Sequence, residues 1–175
     1  MTNRSTWAVV PVKSFAKAKS RLSDLLDDSV RRDLALAMLE DALVTLSAVE
    51  QIDRVLIVSS EPQAFELADS YGTMILREPV DTGVNASLDS GLNRAIKHAA
   101  SFLLQQGVEQ MLVLPADIPL MNPDDVRTLI DQSITADDKT PNLTLVSDQK
   151  TAGTNALLVS PPGLIGFAVG AQRIQ

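Results

Sequence analysis

The sequence contains no cysteine and a single histidine, His98. Disulfides and thiolate zinc sites are therefore excluded, and one imidazole cannot form a histidine cluster. Any metal must be a hard cation on oxygen ligands, of which magnesium is the simplest. Aromatic residues make up only 3% of the chain, whereas apolar residues make up 45%. The core must then be aliphatic, built from Leu, Val, Ile and Ala. No apolar run reaches the roughly 18 residues of a membrane span, and the N-terminus lacks the apolar stretch of a signal peptide. The expectation is a soluble cytoplasmic protein. Positive charge is also scarce: 15 Lys and Arg stand against 22 Asp and Glu, for a net charge of −7. That balance disfavours nonspecific nucleic-acid binding, which needs a broad positive potential. It favours a small anionic ligand held at one local basic site.

The 175 residues read as one domain covering 1–175. Apolar runs alternate with helical patterns. "TWAVVPVK" (6–13) is a nearly continuous apolar run, as expected of a strand buried on both faces. A helix is expected from Ser29, as N-cap, to about Val49, with Leu36, Leu39, Leu43 and Leu46 on one face. Strands are expected at 54–60, 73–78, 109–117, 143–148 and 155–160. Further helices are expected at 62–72, from the 81–83 loop to about Gln106, and at 122–134. Asn122 is the N-cap of the last, and Pro123 its first residue. Strands separated by helices imply βαβ units and a mostly parallel α/β sheet flanked by helices.

In such sheets ligands sit beyond the carboxyl ends of the strands. Lys13 follows the first strand, Ser59 ends the second, 81–83 follow the third, and Asp117 follows the fourth. Lys13, Lys17, Lys19 and Arg21 cluster in a stretch without acidic residues. Clustered cations at this edge suit a polyphosphate, although a solvated surface turn is the plainer reading. No glycine lies between Pro11 and Leu26, so a Walker A loop is excluded and side-chain charge must replace a backbone cradle. Asp117, in "LVLPADIPLM", is placed to hold a divalent cation over a phosphate; a turn aspartate is the alternative. Gly83 permits close backbone approach, and the Asn85 amide can both donate to and accept from a nucleobase. A capped helix start explains the same segment. Gly153, Thr154 and Asn155 are small donors suited to a carboxylate or phosphate, or else a plain turn. His98 has no partner in a recognised spacing and reads as structural or exposed.

"VPVKSFAKAKSRLS", "LPADIPLM" and "GTNALLV", in this order, resemble the motifs of the 2-phospho-L-lactate or phosphoenolpyruvate guanylyltransferases. The resemblance runs from about Trp7 to Ser160. It implies a Rossmann-like nucleotidyltransferase fold of glycosyltransferase-A type. It also implies transfer of GMP from GTP to a phosphorylated three-carbon acid, with release of pyrophosphate, in deazaflavin coenzyme biosynthesis. Carried over by position, Lys13, Lys17, Lys19 and Arg21 would hold the GTP phosphates, with Lys13, Lys19, Arg21 and Asp117 as the catalytic set. Pro11, Ser59, Gly83 and Asn85 would complete the nucleotide site, Gly91 to Asn93 being a second register for the Gly-x-Asn segment. Asp117 would bind Mg2+. Thr154, Asn155 and Gly170 would meet the acceptor, which the resemblance leaves open between 2-phospholactate, phosphoenolpyruvate and 3-phosphoglycerate.

The family's pattern continues with a Gly-x-x-Ser segment and then an acidic segment. Here Gly170 matches the glycine, but Arg173 stands in the serine position, and no acidic residue follows Asp148. A second metal carboxylate is therefore expected to be missing or supplied from elsewhere. The alternative expectation is a C-terminally truncated, weakly active or inactive homologue that only binds nucleotide. Exposed sheet edges would favour a homodimer.

Overall fold

The computed structural model describes residues 4–15, 19, 22–78, 91–118, 120–133, 140–147 and 153–164. Ten elements follow in order: β1 (Thr6–Pro11), α1 (Asp28–Ser47), β2 (Arg54–Ser59), α2 (Pro62–Ser70), β3 (Met74–Arg77), α3 (Gly91–Gln105), β4 (Gln110–Val113), α4 (Pro123–Ser133), β5 (Asn142–Ser147) and β6 (Thr154–Ser160). The strands form one six-stranded sheet in the order β3-β2-β1-β4-β6-β5.

β1 pairs in parallel with both β2 and β4, and β2 with β3. The expected parallel pattern stops there. β6 runs antiparallel to β4, and β5 antiparallel to β6. The reason is connection length: the few residues between β5 and β6 are too short for a parallel crossover, which needs a dozen or more. The sheet is therefore mostly parallel with an antiparallel edge.

Side chains alternate between two cores. Ala8, Val10, Val55, Ile57, Leu112 and Leu158 pack with α1, α2 and α4 on one face. Trp7, Val9, Leu56, Val58, Met111 and Val159 pack with α3 on the other. Burial on both faces explains why the strands read as unbroken apolar runs. On α1, Leu39, Leu43 and Leu46 are fully buried, each stabilising the fold by roughly 1.5–3 kcal/mol relative to exposure. Leu36 is only partly buried at the margin of this cluster.

The ends of the elements obey local chemistry. Asp27, not Ser29, caps α1: its Oδ1 accepts from the Val30 amide at 2.9 Å and from the Ser29 hydroxyl at 2.8 Å. The Asp27 carboxyl is held below the usual carboxylate range, chiefly by that amide and then by that hydroxyl. Asn122 caps α4 as expected, accepting from the Asp124 and Asp125 amides at 2.9 and 3.0 Å. Gly72 and Gly107 follow α2 and α3 with φ of +62° and +73°, a region that glycine enters without steric cost. β4 is shorter than expected. Leu114 still donates its amide to the Val9 carbonyl at 3.0 Å, but Pro115 has no amide to continue the ladder.

β1, β2 and β3 step to one side of the sheet, with α1 and α2 on one face. α3 then crosses the opposite face to β4 on the other side of β1. The loops after β1 and β4 consequently diverge, which opens a crevice at the carboxyl edge.

Candidate active site

The crevice is a pocket of about 430 Å³ lined by residues of three elements or their loops. Pro11, Val12, Lys13, Ser14, Phe15 and Lys19 come from the end of β1 and the loop after it. Pro115, Ala116 and Asp117 come from the loop after β4, and Ala35, Met38 and Leu39 from α1. The floor is thus apolar, and the charged groups are two lysines and one aspartate.

Each lysine is paired with a carboxylate. Lys19 Nζ lies 3.0 Å from Asp117 Oδ2, joining the two loops across the crevice. Lys13 Nζ donates to Glu78 Oε1 and to the Gly91 carbonyl, each at 2.7 Å. Asp117 is 61% exposed and Glu78 21%. Among the described residues, the non-glycine residues of positive φ, Lys19 at +51° and Leu120 at +64°, lie in the loops that carry Lys19 and Asp117. Such conformations are uncommon outside glycine and concentrate at functional sites.

Of the residues expected from sequence, Pro11, Lys13, Lys19 and Asp117 come together in this pocket. Ser59 is fully buried, and its hydroxyl accepts from the Glu61 amide at 3.1 Å, which gives it a local role in turning the chain into α2. Thr154 and Asn155 begin β6. Because Ser147 pairs with Thr154 and Val113 with Leu157, the antiparallel strand starts at the same carboxyl edge. They stand beside the pocket rather than lining it. Lys17, Arg21, Gly83, Asn85 and Gly170 lie outside the described residues. Asn93, in the alternative Gly-x-Asn register, is buried within α3. His98 lies on α3 at intermediate burial.

Sequence reasoning missed Glu78 and the α1 wall. Glu78 directly follows β3, so the rule that singled out Lys13 and Asp117 points to it as well. Leu39 carried only a core signal, and Ala35 and Met38 were not singled out.

Asp117 is the carboxylate among the described residues that line the pocket, and it is paired with Lys19. Among the described residues no group of three or more His, Cys, Asp or Glu side chains could hold a metal. Magnesium is commonly bound by one or two carboxylates, with phosphate oxygens and water supplying the rest. No described helix is long and apolar enough to cross a membrane.

This fold is shared with solved nucleotidyl- and nucleotide-sugar transferases. A nucleotide-diphospho-sugar transferase from Desulfovibrio desulfuricans superposes with a TM-score of 0.70 at 15% identity, over 93% of this chain and 66% of that one. A cytidylyltransferase from Leptospira borgpetersenii superposes with a TM-score of 0.61 at 12% identity, over 90% and 61% of the two chains. The chain belongs to the family described as "Guanylyl transferase CofC like", which matches residues 6–169. Phosphoenolpyruvate guanylyltransferase of Rubrobacter xylanophilus is 39% identical over 166 residues, 95% of this chain and 74% of that relative. 2-Phospho-L-lactate guanylyltransferase of Methanobrevibacter ruminantium is 35% identical over 158 residues, 89% of this chain and 64% of that relative. The chain spans 64% to 74% of the length of these two relatives.

Proposed function

We propose that the protein transfers GMP from GTP to a phosphorylated three-carbon acid, phosphoenolpyruvate or 2-phospho-L-lactate, and releases pyrophosphate. The observation that carries this reading is the meeting of Lys13, Lys19 and Asp117 on loops that diverge at the sheet's switch point, in a chain of the guanylyl transferase family. The product would join GMP to the acid's phosphate through a phosphoanhydride and enter deazaflavin coenzyme assembly.

The reaction is an in-line displacement. An acceptor phosphate oxygen forms a bond to the α-phosphorus of GTP as the bond to the bridging oxygen of the pyrophosphate breaks. The acceptor phosphate is already ionised near neutral pH, so no general base is required. This suits a pocket lined by two lysines and an aspartate with no histidine. What the chain must supply is positioning and charge neutralisation. Lys13 and Lys19 face the transferring and leaving phosphates, and Thr154 and Asn155 lie on the side from which the acceptor approaches. Magnesium on Asp117 would supply further neutralisation at phosphate oxygens. On binding, Lys19 exchanges its Asp117 partner for phosphate.

The test is pyrophosphate release from GTP and magnesium with either phosphoenolpyruvate or 2-phospho-L-lactate. The expected result is release with one or both acceptors that is lost in Asp117→Ala. No release with either, or equal release from Asp117→Ala, overturns the reading.

A further inference from the structure

We propose that Glu78 is a positioning residue of this site, its carboxylate holding the Lys13 ammonium ready for a ligand phosphate. The inference rests on the nucleotide-binding part of the function proposed above and adds a residue that the motifs did not supply.

Lys13 Nζ meets Glu78 Oε1 and the Gly91 carbonyl at 2.7 Å each. An ammonium has three donors, so these partners leave one for a ligand. All three backbones that converge here are anchored. The Val12 amide, next to Lys13, donates to the Val58 carbonyl at 2.9 Å, and the Glu78 amide donates to the Ser59 carbonyl at 3.1 Å. Gly91 is the first residue of α3, whose Asn93, Ala95 and Ile96 are buried. A lysine side chain is otherwise a flexible four-carbon stem. Fixing its head from anchored elements removes ordering that a ligand would have to impose.

The two carboxylates at this edge differ in a way that separates their roles. Asp117 lines the pocket and is 61% exposed, so it can touch a ligand. Glu78 does not line the pocket and is 21% exposed, while its partner Lys13 does line it and is 43% exposed. The carboxylate therefore stands behind the ammonium and acts through it.

The experiment is equilibrium titration of the full chain with GTP and magnesium, in wild type, Glu78→Ala, Glu78→Gln, Lys13→Ala and the Lys13→Ala/Glu78→Ala double variant. KM for GTP and for the acceptor, kcat and melting temperature are recorded alongside. Glu78→Ala is expected to weaken GTP by about tenfold, within the range for a pair coupled in one network, and to lower kcat as well because Lys13 faces the transferring phosphate, with acceptor KM unchanged. Glu78→Gln keeps an acceptor oxygen at the same reach and should lose less. The double variant should bind GTP as Lys13→Ala does, within about twofold, because the two residues act as one unit. GTP binding in Glu78→Ala as tight as wild type, or tighter, overturns the proposal, as do losses that multiply in the double variant. Should Glu78→Ala not fold, Glu78→Asp keeps the charge but withdraws it by one methylene. It is expected to weaken GTP, and wild-type affinity there overturns the proposal. GTP binding without turnover in wild type would sink the transferase reading alone, whereas absence of GTP binding would overturn both.

Discussion

The two edges of the sheet are built from different chemistry. At the amino edge, polar side chains are knitted to one another and to backbone. Thr6 Oγ1 donates to Gln110 Oε1 at 2.9 Å, Gln110 Nε2 to Ser133 Oγ at 3.2 Å, and Asn142 Nδ2 to the Ser133 carbonyl at 2.6 Å. Asp53 accepts from Ser5 and Thr6, and Ser160 donates to the Glu109 carbonyl. Thr6, Gln110 and Ser133 are almost fully buried. At the carboxyl edge the contacts are ion pairs between long side chains on separate loops, Lys13 with Glu78 and Lys19 with Asp117, all of them partly exposed. The buried bonds of short reach among Thr6, Gln110 and Ser133 hold register, since leaving any one unmade is costly. Exposed ion pairs are worth about 1 kcal/mol or less, so a ligand can exchange them. The sheet is held at one end and kept exchangeable at the other.

The contrast is tested first where it predicts opposite outcomes. Lys19→Ala should cut turnover by about a hundredfold, the order seen when one preorganised charge-stabilising group is lost. Its effect on urea stability should stay within about 1 kcal/mol. Gln110→Ala should do the reverse. It leaves the Thr6 and Ser133 hydroxyls without their amide partner and should cost about 1–3 kcal/mol in urea unfolding. Turnover of the folded variant should be unchanged. If Lys19→Ala destabilised the protein as much as Gln110→Ala, the division of labour between the edges would be wrong.

How far the sequence carried the fold follows from the same division. The buried strands were readable because both faces are covered, so Val, Leu and Ile run without interruption. Pocket residues were readable where they lie in the loops that follow such strands, as Lys13 and Asp117 do. Four things were not. "DDS" at 27–29 offers three good caps, and only backbone geometry selects Asp27. The antiparallel start of β6 puts Thr154 and Asn155 at the carboxyl edge for a different reason from the parallel rule. The partnership of Lys13 with Glu78 spans 65 positions, and no local pattern encodes it. The same holds for the α1 wall, where Leu39 sits on a stripe that reads as core whether or not a pocket opens beside it.

The smallest expected effects use pH to address the molecule from either side. Asp27 starts α1 at the carboxyl edge, and its carboxyl is depressed by the Val30 amide and the Ser29 hydroxyl. A depressed carboxyl contributes stability that is complete above its unfolded value, about pH 4, and is lost as pH falls through the folded value. Asp27→Asn keeps a competent cap but cannot titrate. Its neutral stability should match wild type, while acid unfolding below about pH 4 should be shallower. Tyr71 lies where α2 returns to the amino edge, and its hydroxyl donates to Glu40 Oε1 at 2.6 Å, which raises the phenol above its ordinary value. Here the sign reverses. The contribution is complete below about pH 10 and fades as pH rises through the folded value. Tyr71→Phe should therefore differ slightly from wild type at neutral pH and converge with it in strong alkali. Both groups lie at the protein surface, so the shifts in midpoint will be small, and pH-dependent unfolding of the two variants side by side is the measurement. Acid sensitivity that survives Asp27→Asn unchanged would show that the Asp27 cap does not contribute to it.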